Sequence, residues 1–199
     1  MLNIYLLRHG ETVYNADGNR YCGQSDIGLT EKGLRQAQEI GQSLKSVHFN
    51  AIYSSPLERA YTTARYASHN TNTVIKDDRL MEMDFGAWEG KTREEFIAEA
   101  PALWERWDQA PDVNRAGGTG NTATEIVERV DNFFTDVSAR HPQGNVLVVA
   151  HNTVNRLYLA YKLGMPLRNY RRIVQENSAI TLFTLDKFGV LSLLKLNTH

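Results

Sequence analysis

Cysteine is nearly absent. Cys22 is the single one in 199 residues, which excludes an internal disulfide and fits a reducing compartment. An excess of charge is missing too: 22 Lys and Arg oppose 23 Asp and Glu, for a formal net charge of −1 and a pI near 6.6. No global field draws in a nucleic-acid backbone or an anionic membrane, so any affinity for anions has to be local. Apolar runs are short, and none approaches the ~20 residues that span a bilayer. Met1 to Leu7 lacks a basic start and runs directly into Arg8-His9-Gly10, which reads as a strand and not as a signal peptide. The expectation is a soluble, cytoplasmic protein with no nucleic-acid and no membrane partner.

What is present is an alternation of strand and helix signals. Ile4 to Leu7 is a short apolar run feeding a loop with Gly10, Gly18, Gly23 and Gly28. Thr30 caps an amphipathic helix carrying Leu34, Ala37, Ile40 and Leu44. Ala51 to Tyr53 reads as a second strand, after which Ser55-Pro56 supplies a cap and a proline at the first helical position of a helix reaching Ala67. A short third strand is expected at Thr73 to Ile75. Glu94 to Trp107 reads as one or two helices, and Thr122 to His141 as a helix with Ile126, Val130, Phe133, Phe134 and Val137 on one face. Asn145 to Ala150 is the most strand-like run in the chain. A helix from Asn152 to Leu163 stops at Gly164, and two closing strands follow at Ala179 to Thr184 and Val190 to Leu196.

The pattern predicts a three-layer α/β/α sandwich with a mainly parallel central sheet and an antiparallel edge strand. At this length one domain, residues 1–199, is expected, with residues 80–120 as a cap or rim over the site. In such sheets ligands gather beyond the carboxyl ends of the strands. Two strands end alike there: Leu6-Leu7 enters Arg8-His9, and Val148-Val149-Ala150 enters His151. Arg8 adjoins the first histidine, and Arg59 lies near the start of the helix after Ser55-Pro56. Guanidinium forks beside a helix start suit a phosphate with three peripheral oxygens. Asn15 could give an amide hydrogen to the same oxygens. His48, His69, His141 and His199 show no paired metal-ligand spacing, and no cofactor or metal is expected. A cysteine-dependent phosphatase site wants an arginine six residues after its nucleophile, and Gly28 stands there after Cys22.

Four ordered blocks carry a resemblance: Leu7-Arg8-His9-Gly10-Glu11-Thr12 with Asn15; Ser54-Ser55-Pro56-Leu57-Glu58-Arg59-Ala60; Glu82 ahead of Phe85-Gly86-Ala87-Trp88-Glu89-Gly90; and Ala150-His151. In content and order the chain resembles the histidine phosphatase (phosphoglycerate mutase-like) superfamily over almost its whole length. The resemblance implies that His9 is phosphorylated, that Arg8, Arg59 and His151 hold the phosphoryl group, and that Glu82 is the proton donor, ahead of its rivals Asp84, Glu89 and Glu11. It places Asn15, Cys22, Gly23 and Asn152 among substrate-binding residues. The implied reaction is hydrolysis of a small phosphomonoester: a sugar phosphate, an α-ribazole phosphate-like compound, or a phosphorylated hydroxy or amino acid.

Departures from the family pattern shape the expectations. Asn152-Thr153 replaces the two glycines common after the second histidine, and Gly120-Asn121-Thr122 replaces a glycine-glutamate-serine turn, which points Asn121 toward the substrate. Arg20-Tyr21-Cys22-Gly23 looks like the loop of cofactor-dependent mutases, yet Met83-Asp84-Phe85-Gly86 stands where mutases carry arginine-histidine-tyrosine-glycine. A mutase must shield its phosphoenzyme from water, so a small cap favours the phosphatase branch. The competing readings are a bisphosphoglycerate-dependent mutase and an idle anion-binding module. Trp88, Trp104, Trp107, Tyr21 and Arg115 are candidates for the entrance, although aromatics at helical spacing are more often core. A homodimer is left open.

Overall fold

In a computed structural model, residues 1–69 and 73–199 are described. Six strands, β1 (Leu2–Arg8), β2 (Ala51–Ser54), β3 (Val74–Lys76), β4 (Gly144–Ala150), β5 (Ile180–Leu185) and β6 (Leu191–Thr198), form one sheet in the order β3-β2-β4-β1-β5-β6. The first four positions are parallel; β5 runs antiparallel to β1, and β6 antiparallel to β5.

Alternation along the strands splits the core in two. Leu2, Ile4 and Leu6 of β1, with Val146, Val148 and Ala150 of β4, face a cluster with the helices α6 (Ala123–Arg140) and α7 (Asn152–Lys162). Leu7, Leu147 and Val149 point the other way, against α2 (Glu31–Leu44) and α3 (Glu58–Ala67). Covering both faces is what makes the central strands near-continuous apolar runs, and the three layers predicted from the sequence follow.

Local signals explain most helix boundaries. Thr30 Oγ1 accepts from Gly33 N at 3.0 Å and starts α2, whose buried residues Ala37, Ile40, Gly41 and Leu44 form one face. Thr122 and Glu125 make a capping box for α6. The predicted Ser55-Pro56 cap is corrected: α3 begins at Glu58 with Leu57 at the N-cap. Asp26, from a distant loop, accepts from Glu58 N at 2.7 Å. Ser55 Oγ instead accepts from Leu57 N at 3.3 Å and turns inward.

Between β3 and α6 the chain forms α4 (Arg93–Glu99) and α5 (Pro101–Gln109) with short 3₁₀ turns around them. Trp88, Trp104 and Trp107, which the sequence leaves between entrance and core, are 1%, 8% and 1% exposed and pack with Phe96 into the larger core. That segment is therefore welded to the main body by aromatic contacts. After β1, a four-residue helix α1 (Val13–Ala16) is capped by Thr12. Gly10 and Gly33 let the first turn of α2 lie on this loop: a Cβ on Gly10 would come within 2.5 Å of Gly33 O. No helix among the described residues is long and apolar enough to cross a membrane.

Candidate active site

Register brings the two histidines together. Arg8 pairs with Ala150 in the parallel β1·β4 ladder, and His9 N donates to Ala150 O at 3.1 Å. His9 and His151, each one residue further on, emerge side by side beyond the strand ends. Their ring centroids are 5.2 Å apart in an edge-to-face contact. Both rings are buried, His9 at 5% exposure and His151 at 0%.

Each imidazole is held at one nitrogen. His9 Nδ1 lies 2.7 Å from Gly10 O; a carbonyl only accepts, so the hydrogen sits on Nδ1 and Nε2 keeps its lone pair. His151 Nε2 lies 2.8 Å from Ser55 Oγ, and its Nδ1 is buried without a protein partner. Ser55 Oγ also accepts from Leu57 N; its second lone pair and its own hydrogen suit it to accept from or donate to His151 Nε2. Burial first, then the Arg59 guanidinium, hold both histidines well below the ordinary 6.5, with Arg8 adding to the effect on His9 and His9 to that on His151. Both rings are neutral near pH 7.

The arginines differ in role. Arg8 lines the cavity in front of His9, donates to Gln175 O at 2.9 Å, and is lowered by burial to about 10. Arg59 is fully buried behind it and, like His151, does not line that cavity. Its Nη1 donates to Ser25 O at 2.8 Å and its Nη2 to Gly23 O at 2.7 Å. It fixes the 22–25 loop while its charge acts on both imidazoles.

Glu82 is 4% exposed and lines the cavity. Its carboxyl accepts from Met83 N at 2.8 Å, Thr153 N at 3.1 Å and Val154 N at 3.2 Å, the last two from the first turn of α7. Three N–H donors favour the charged form, but burial outweighs them and pushes its pKa up from 4.5. The rival carboxylates are committed elsewhere. Glu11 is paired with Lys32 at 2.7 Å and its pKa is lowered by that contact first; Glu89 accepts from Ser25 N, and Asp84 from Gly86 N.

The cavity is about 580 Å³, the size for a small metabolite. Asn15 and Asn152 line it. The Asn15 oxygen accepts from Thr12 N and from Asn177 Nδ2 at 3.1 and 3.2 Å, which leaves its amide nitrogen as the group available to donate. Asn152 Oδ1 is buried without a partner. Cys22 also lines the wall, but burial pushes its thiol up to about 11, so it carries no thiolate near neutrality. Gly23 sits behind the wall with its carbonyl on Arg59. The expectation for Asn121 is corrected: its oxygen accepts from Asp84 N at 2.9 Å and its amide nitrogen donates to Glu125, so it braces the α6 cap away from the cavity. Arg115 is likewise committed to Glu125 at 2.7 Å; Tyr21 alone of the proposed entrance residues reaches the cavity.

The pattern that defines the histidine phosphatase superfamily (branch 1) matches residues 4–198. The chain belongs to this superfamily. It is 34% identical to phosphoserine phosphatase 1 of Hydrogenobacter thermophilus over 188 residues, covering 94% of this chain and 88% of the relative. It is 30% identical to a probable phosphoglycerate mutase of Erwinia tasmaniensis over 185 residues, covering 91% and 84%. Among solved structures, a phosphoserine phosphatase of Entamoeba histolytica in complex with 3-phosphoglyceric acid superposes with a TM-score of 0.90 at 29% identity, covering 100% of this chain and 98% of that one.

Residues without a local sequence signal also meet here. Ser55 reads locally as a cap, and the stretch from Tyr170 to Asn177 has neither helical nor strand period. Its Tyr170, Arg171, Gln175 and Asn177 nonetheless line the cavity, as does Arg156 of α7.

Proposed function

We propose that this superfamily member hydrolyses a small phosphorylated metabolite in two steps through a phosphohistidine on His9. His9 Nε2 attacks phosphorus, the bond from phosphorus to the ester oxygen breaks, and the proton carried by Glu82 goes to the departing alkoxide. Water then attacks the phosphohistidine, the N–P bond breaks, Glu82 takes the water proton, and inorganic phosphate leaves. Arg8 and the Asn15 amide meet the equatorial oxygens as charge spreads over them, while His151, with an unpartnered ring nitrogen, and the Arg59 charge back them from just behind the wall.

The observation that carries this reading is His9 Nδ1 tied to Gly10 O, which leaves a neutral, lone-pair-bearing Nε2 at a cationic cavity. A buried carboxyl with a raised pKa beside it supports proton donation. Similarity to named phosphatases supports hydrolysis, and similarity to a protein named as a probable mutase defines the alternative product, an isomeric phosphate ester. A lone cysteine without a disulfide partner supports a reducing, cytoplasmic setting. The test is a rapid quench with radiolabelled phosphomonoester: native protein acquires an acid-labile label and releases inorganic phosphate, whereas His9→Ala does neither. Turnover by His9→Ala, or isomer formation without phosphate release, overturns it.

A further inference from the structure

Five cationic side chains line the cavity, and most are already spoken for. Arg20 is paired with Asp17 and Glu95, and Lys32 with Glu11. Arg8 stands next to His9 in the chain and donates to Gln175 O. Arg156 is different. Half-buried on α7, it donates from Nε to Tyr170 O at 3.2 Å, and among the described residues no carboxylate lies within ion-pair distance of its guanidinium. Arg171 stands with it. Its Nη1 is 3.4 Å from Asp108, and its Nη2 is buried without a partner.

The buried Tyr170 ring orders this pair. Arg156 lies 5.3 Å and Arg171 4.7 Å from the ring centroid, and Arg171 also stacks on Trp104 at 4.5 Å. Two like charges are held together on a cavity wall, with burial the leading cost for the Arg156 cation. Such an arrangement costs stability unless an anion compensates it. Its position says which part of a substrate it meets. Arg156 is one turn beyond Asn152 and Thr153 on the same helix face, and Thr153 N is a donor to Glu82. The proton donor marks the side on which the ester oxygen departs, so Arg156 faces the alcohol portion of the substrate and not the phosphoryl group.

We infer that Arg156, with Arg171 beside it, is a second anion subsite that selects phosphomonoesters whose alcohol portion carries a carboxylate. The inference rests on the roles proposed for His9 and Glu82. A planar guanidinium fork with free Nη donors matches a carboxylate bidentately. The substrate class is then a phosphorylated hydroxy or amino acid with a short carbon chain.

The experiment compares kcat/KM for O-phosphoserine and O-phosphoethanolamine, which differ by one carboxylate, in the native protein and in Arg156→Gln and Arg156→Lys. The native protein prefers phosphoserine, and Arg156→Gln lowers that preference by about 30-fold, mostly through KM, with Arg156→Lys in between. Equal losses on both esters overturn the inference, because Arg156 then serves the phosphoryl group or the fold; so does an unchanged ratio. A native preference for a bisphosphorylated alcohol over the carboxylate-bearing ester would assign the subsite to phosphate and overturn the carboxylate. Phosphate release from neither ester nor from p-nitrophenyl phosphate would instead sink the hydrolase reading itself.

Discussion

His151 Nε2 lies 2.8 Å from Ser55 Oγ, and neither side chain reaches solvent. The hydroxyl holds the His151 ring at Nε2 and so sets its orientation beside His9. Ser55→Ala should lower kcat about tenfold with a smaller change in KM, and cost about 1–3 kcal/mol of stability from the nitrogen and the Leu57 N–H left unpaired. Ser55→Thr should recover part of the rate. Steady-state kinetics and the ¹⁵N shifts of His151 check this; a wild-type rate would show that the hydroxyl does not matter.

Glu82 is the one cavity-lining carboxyl whose pKa is raised. Glu82→Gln should therefore slow esters of poor leaving alcohols by about 100-fold or more, while p-nitrophenyl phosphate, whose leaving group needs no proton, loses far less. A Brønsted plot against leaving-group pKa reads the difference. Parallel losses across the series would place the acid elsewhere.

Acid should destabilise the fold through the histidine pair. Both imidazoles have folded pKa values well below 6.5. Below pH 6.5 the unfolded chain binds protons at residues 9 and 151 that the folded chain refuses. Stability from these groups is full above that pH and falls as pH drops, by up to about 1.4 kcal/mol per pH unit for each. Urea unfolding between pH 7.5 and 5.5, compared with His9→Gln, should show one proton fewer taken up by the variant. Identical pH slopes would contradict the neutral assignment of His9.

Gly33 admits no side chain, because its Cβ would run into the Glu11 backbone. Gly33→Ala should push the first turn of α2 off the loop that carries His9, costing about 1–3 kcal/mol and lowering kcat. Thermal melts and turnover measured together check it; an unchanged melting temperature would mean the two segments move apart without cost.

Much of this was legible in the chain. Thr30 and Thr122 announced their helices because a hydroxyl three residues before an amide donor is a local signal. His9 and His151 were legible because each follows an apolar strand, and parallel neighbours end at the same edge. What the sequence concealed depends on distance. Ser55 reads as a cap until β2 places it beside β4, and Asp26 caps α3 from a loop that no local pattern connects to it. Arg156 carries no local signal within its helix, and neither does Tyr170 to Asn177, because 3₁₀ and irregular backbone have no hydrophobic period. The family's turn suggests a substrate-facing Asn121, but its residues differ here and the amide braces Asp84 and Glu125 instead.

The β1·β4 ladder has a kinetic consequence. Its strands open the chain and close its third quarter, so the paired imidazoles exist only after a long loop has been drawn shut, a late and entropically costly event. Helices could recover early in refolding, yet catalytic turnover would return only with the last long-range pairing, making activity a reporter of complete assembly and not of compactness.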